Sequence, residues 1–103
     1  MTVNEFMVKS GISVHLKGFE AVEYAINICM ENSEIDTMKI YEIVSNKFGI
    51  SEKGAERRIR FAIKQGFNLM DEKLKLTLFG NKVYIRNRDY LKTVAYAIKN
   101  HVI

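Results

Sequence analysis

Four cations recur at intervals of four, three and four residues in one stretch of the chain: Lys53, Arg57, Arg60 and Lys64. Wound as an α-helix at about 100° per residue, they share one side, while Ala55, Ile59, Ala62, Ile63 and Gly66 share the other. A helix with such a stripe facing solvent fits the major groove of duplex DNA. There an arginine donates two hydrogen bonds to a guanine, and lysines and other arginines meet phosphates. Arg58 and the hydroxyl of Ser51 extend the phosphate-facing set. Glu56 is an acid on a surface otherwise built to attract phosphate. It either accepts from a cytosine amino group or orients a neighbouring arginine, and the competing expectation is an intrahelical pair with Arg60 at i, i+4. Phe61 winds toward the outward side, where it would meet a thymine methyl. The stronger expectation for it is core packing beneath the following loop.

No other constellation supports chemistry. His15 and His101 are far apart in sequence and neither neighbours the single Cys29, so neither a metal site nor a nucleophile is expected, and the chain reads as no enzyme and as needing no cofactor. Glu31, Glu34 and Asp36 read as solvated loop charge. The tyrosines, Tyr24, Tyr41, Tyr84, Tyr90 and Tyr96, fall mostly in apolar stripes, with core packing their default role.

The elements that must hold the stripe form a helix-turn-helix over Ile40 to Ile59: an apolar helix, Gly49 for a sharp turn, Ile50 plugging it from inside, then Ser51 as a capping hydroxyl. Glu52 adds an acid to the first turn of the next helix, where the dipole favours one. The second helix of the pair is expected from Glu52 to about Phe67. Around it, spacing predicts a short helix from Asn4 to Ser10, a long one from Lys17 to Asn32, and one from Thr37 or Met38 to Phe48. A short helix or irregular segment should end at Gly80, Lys82 to Ile85 has room for a short extended piece, and Asn87 is placed to cap a last helix. With no proline in the chain, the expected class is all-α, a compact bundle of about six helices.

Composition bounds the partners. At 103 residues, 48% hydrophobic and 27% charged, the chain is sized for one domain, residues 1–103, that folds by itself. Its net charge of +4 is unevenly spread. Residues 1–36 hold two Lys/Arg against six Asp/Glu, whereas the remainder holds 14 against six. The basic surface therefore belongs to the later two-thirds. A lone cysteine in an apolar stretch implies a reducing cytoplasm. No secretion signal is expected at the N-terminus, and no membrane span, since no run approaches about 18 apolar residues.

Over most of the chain, about Phe6 to Val102, the residues resemble the C-terminal DNA-binding domain of the stage-zero sporulation response regulator family. The resemblance is carried first by Gly11 and Ile12 followed by His15, Leu16, Lys17, Gly18 and Phe19. Phe48 precedes the turn, and Glu56 with Arg57, Ile59 with Arg60 and Ala62 with Ile63 follow it. Leu78, Phe79 and Gly80 with Val83, then Asn87, Asp89, Tyr90, Leu91, Val94 and Ala95, complete the match. It implies a six-helix fold, a helix-turn-helix reading a short double-stranded DNA box, tandem binding of domains, and contact with RNA polymerase sigma factor. It also implies that Glu56 and Arg57, matching an adjacent glutamate and arginine, meet bases. Two positions depart from the pattern: Gly54 stands where the family usually has a DNA-contacting arginine, and Phe61 where it has a histidine.

That family's effector domain normally follows a phosphorylatable receiver domain, and only about 14 residues precede the core motif of the resemblance, which begins at His15. Control by phosphorylation within the chain is therefore not expected. Constitutive action, competition for a larger regulator's sites, or response to a separate partner are the alternatives. A second reading keeps the fold but not the DNA. It is an adaptor that uses its acidic long helix or its last helix to bind a sigma factor, a receiver domain or a copy of itself.

Overall fold

Each helix begins where the chain supplies an acceptor or an extended residue to start it. The computed structural model describes residues 1–103 and contains six helices and no strand. Val3–Lys9 (α1) opens on a reciprocal cap: Thr2 Oγ1 accepts from the Glu5 N–H and Glu5 Oε1 accepts from the Thr2 N–H, both at 3.1 Å. Lys17–Glu31 is α2 and Thr37–Phe48 is α3, the latter capped by Asp36 Oδ1 accepting from the Met38 N–H at 3.0 Å. Glu52–Leu69 is α4, two residues longer than the spacing suggested. Asp71 caps Glu72–Phe79 (α5) through the Leu74 N–H at 3.0 Å, and Asn87–Lys99 is α6. Lys82 to Ile85, expected to have room for an extended piece, is irregular.

One apolar cluster of 23 buried residues draws on all six helices. The central element is α2, which packs against α1, α3, α4 and α6, while α5 packs against α6. Beneath α5 the ring of Tyr90 stacks on Phe79 with centroids 5.5 Å apart and meets Phe6 edge-on at 6.2 Å. Its hydroxyl has no hydrogen-bond partner in the protein, and burial pushes the phenol far above its ordinary range. From α6, Lys92 Nζ donates to the carbonyls of Ser33, at 2.7 Å, and Ile35, and Lys99 Nζ reaches the Met30 carbonyl at 3.4 Å. These lysines take up carbonyl groups at the end of α2 and in the turn to α3, which helical hydrogen bonds leave free. No helix is long and apolar enough to cross a membrane.

Two glycines set how closely α4 lies against its neighbours. A Cβ on Gly18, in the first turn of α2, would come within 2.5 Å of the Ala62 Cβ and 2.6 Å of the Arg58 carbonyl oxygen. One on Gly66 would come within 2.4 Å of Ile12 and 2.9 Å of the Ser10 carbonyl oxygen. Alanine normally improves on glycine inside a helix by roughly 0.5–1 kcal/mol. At position 18 the clash with backbone outweighs that gain. Gly18→Ala is expected to lower stability by about 1–3 kcal/mol, read as a lower urea midpoint with an unchanged slope.

Candidate nucleic-acid interface

The turn between α3 and α4 is built as its sequence suggests. Gly49 sits in the left-handed region (φ 65°, ψ 39°), its N–H bonding the Ser45 carbonyl. The Ile50 N–H reaches the same carbonyl at 3.0 Å while its side chain packs against the core. Ser51 Oγ accepts from the Gly54 N–H at 2.9 Å and so starts α4. One lone pair of its oxygen is thus taken by the cap, and its hydroxyl hydrogen remains free to donate to another group.

Burial divides α4 lengthwise. Ala55, Ile59, Ala62, Ile63, Gly66 and Phe67 are buried, and Lys53, Arg57, Arg60, Phe61 and Lys64 are exposed. The chain's ion pairs are Lys39 with Glu42, Arg60 with Glu56, Lys75 with Glu72, and Arg86 with Asp89. Lys53, Arg57 and Lys64 are in none of them, so three outward cations have no counter-charge in the protein. Arg58 is half-buried on the flank of α4 nearest α2, where its carbonyl faces Gly18. Phe61 does not tuck beneath a loop. It is 58% exposed, because lying four residues after Arg57 and three before Lys64 places it on the solvent side, and the Arg60 guanidinium lies 5.2 Å from its ring centre.

Glu56, on the opposite flank, is half-buried, and its Oε2 accepts from Arg60 Nε at 3.0 Å. The expected i, i+4 pair therefore forms, and a residue that spacing did not bring into the site joins it. Asn87 Nδ2 lies 3.4 Å from the same Oε2, 3.5 Å from the Glu56 carbonyl oxygen and 3.1 Å from the Tyr41 hydroxyl. Asn87 does not cap α6. The N-cap is Arg86, which makes no side-chain cap, and Asn87 is the first helical residue with its amide turned to α3 and α4. Burial pushes the Tyr41 phenol up, the Asn87 hydrogen bond acts against that shift, and the nearby Glu56 charge adds to it.

With this geometry established, comparison with protein-family models gives a match over residues 3–98 to the family described as Sporulation initiation factor Spo0A C terminal. The chain belongs to that family. Spo0A C-terminal domains are DNA-binding regulatory domains rather than enzymes, and the matched span starts with α1 and ends within α6, so every α4 residue above lies inside it. A search of curated proteins finds no match.

Beside the α4 stripe, this Spo0A C-terminal domain has a cleft against the segment between α5 and α6, lined by Arg60, Lys64, Asn68, Tyr84, Ile85 and Asn87. Tyr84 is exposed there, as is Tyr96 on α6, whereas Tyr24 and Tyr41 are half-buried and only Tyr90 is enclosed. Core packing as the tyrosines' default role therefore fails at positions 84 and 96. His15 and His101 are both exposed. Cys29 is buried, which pushes its thiol up against a smaller downward pull from Lys92.

Two substitutions check how α4 is presented. Ser51→Ala removes the cap and is expected to cost about 1 kcal/mol of stability. Phe61→Ala, which in a core would cost about 3–5 kcal/mol, is expected to change stability by less than about 0.5 kcal/mol. Chemical denaturation of both variants measures the difference.

Proposed function

We propose that this chain is a sequence-specific, double-stranded-DNA-binding transcriptional regulator that lays α4 in the major groove. The observation that carries this reading is the outward row of Lys53, Arg57 and Lys64, exposed and without counter-ions in the protein. Uncompensated cations in a row on a helix attract a polyanion and release its condensed counter-ions on binding. Arg57 and Glu56 read base edges, Arg57 as a donor to guanine and Glu56 as an acceptor from cytosine. Lys53, Arg58, Arg60 and Lys64, with the Ser51 hydroxyl, meet phosphates. Phe61, beside Arg57 on the solvent side, meets the groove wall or a thymine methyl.

Residues 1–103 act as one DNA-binding unit. Its partners are duplex DNA, a second copy on a tandem site, and RNA polymerase sigma factor, which places its work in the cytoplasm. Membership of the Spo0A C-terminal family supports the DNA partner; the tandem copy and the sigma factor rest on the likeness alone.

Titration of the purified chain against a duplex carrying a family-type box and against a scrambled duplex, at two salt concentrations, tests the reading. Arg57→Ala is expected to cost about 1–3 kcal/mol on the box and to relax preference at one base position. Lys64→Ala should weaken both duplexes alike and reduce the salt slope by about 1. Unchanged affinity and preference in Arg57→Ala would overturn the docking of α4. Absence of binding to either duplex at low salt would move the chain to the adaptor reading.

A further inference from the structure

We infer that Tyr41 and Asn87, neither of them on the outward side of α4, are positioning residues for base recognition: they hold the Glu56 carboxylate, and through it Arg60, in a single orientation. The inference rests on the proposed reading of DNA by α4 and adds two residues to it.

The amide of Asn87 faces three oxygens: the Tyr41 hydroxyl, the Glu56 carbonyl and Glu56 Oε2, at 3.1, 3.5 and 3.4 Å. The carboxylate and carbonyl oxygens are acceptors only, so the amino end of Asn87 must point toward them. Its two hydrogens then go one to α3 and one to α4, and α6 becomes the clasp between the two helices of the helix-turn-helix. On the Glu56 side, Oε2 takes both the Asn87 amide and Arg60 Nε, the latter at 3.0 Å. Oε1 takes nothing from the protein.

The consequence is a carboxylate with one oxygen tied down and the other left as an acceptor of fixed direction. A free glutamate has three side-chain torsions and can swing to many donors, so it distinguishes poorly among them. Held at Oε2, Glu56 offers Oε1 along one line, and its partner Arg60, with Nε committed, offers only its terminal nitrogens. Directional acceptors and donors are what separate one base pair from another in the major groove. Removing the clasp leaves the cations, and hence general affinity, in place while loosening this direction.

The test is selection of the 103-residue chain on a duplex library randomised across the box, with Tyr41→Phe and Asn87→Asp compared to the unaltered protein. Tyr41→Phe removes only the hydroxyl. Asn87→Asp keeps the shape and puts an acid in the first turn of α6, which helices favour there, but it replaces a donor with a like charge beside Glu56. The expected result is a loss of discrimination confined to one or two adjacent base positions. It should be about tenfold for Asn87→Asp and smaller for Tyr41→Phe, with the other positions and the thermal midpoint of Tyr41→Phe little changed. A purely structural role would weaken all duplexes alike and leave the profile intact, and that outcome overturns the inference. Full retention of the profile by both variants overturns it as well. A profile that is flat already in the unaltered protein overturns both this inference and the DNA reading beneath it, which separates the two failures.

Discussion

The near-contact of α2 with α4 at Gly18 governs the rest of the molecule. A helix can present a chosen side to a partner only if its rotation about its own axis is fixed. Loose packing through long side chains allows several rotations of similar energy. Here the first turn of α2 lies against the Arg58 carbonyl and the Ala62 methyl with no room for one added carbon, and Gly66 makes a second such approach to Ile12 a little farther along. Two fixed points along one side of α4 leave its other side no choice of direction. The buried and exposed rows, the outward cations and the placement of Glu56 on one flank and Arg58 on the other all follow.

Charge is organised around the same division. Elsewhere on the surface, three carboxylates pair with neighbouring lysines and arginines, Glu42 with Lys39, Glu72 with Lys75 and Asp89 with Arg86, and such exposed pairs contribute little to stability. Their effect is to cancel field locally. Along α4 the one internal pair, Arg60 with Glu56, lies at the flank, where Glu56 is already tied to α6, and Lys53, Arg57 and Lys64 are left uncancelled. The acid-rich early part of the chain supplies α1, α2 and the turn to α3, and the basic remainder supplies the other helices.

Most of the helices were legible because their signals are local. Asp36, Gly49 and Ser51 each act within three or four residues of their own position, and the apolar spacing of α2, α3 and α6 is regular. The row of cations was legible for the same reason: a helix converts spacing into a side. What escaped notice depended on distance along the chain. Asn87 meets Tyr41 and Glu56 across 46 and 31 positions, and taken locally an asparagine before Asp89 and an apolar run is a plausible cap. Phe61 was misjudged because the rule that a large aromatic buries was set above its own winding, which already placed it on the outward side. Tyr84 and Tyr96 escaped because an aromatic in a weak stripe does not reveal which side of that stripe is covered. The Thr2 and Glu5 cap, by contrast, was there to be read.

One contact described by none of the helices ties the chain's extremities. The Met1 ammonium donates to the Ile103 carbonyl at 3.1 Å, so both ends of the polypeptide emerge at one spot. In mechanical terms, a pull applied between them loads that contact first. A load applied across α2 and α4 instead meets the close approach at Gly18, where the two helices must part together.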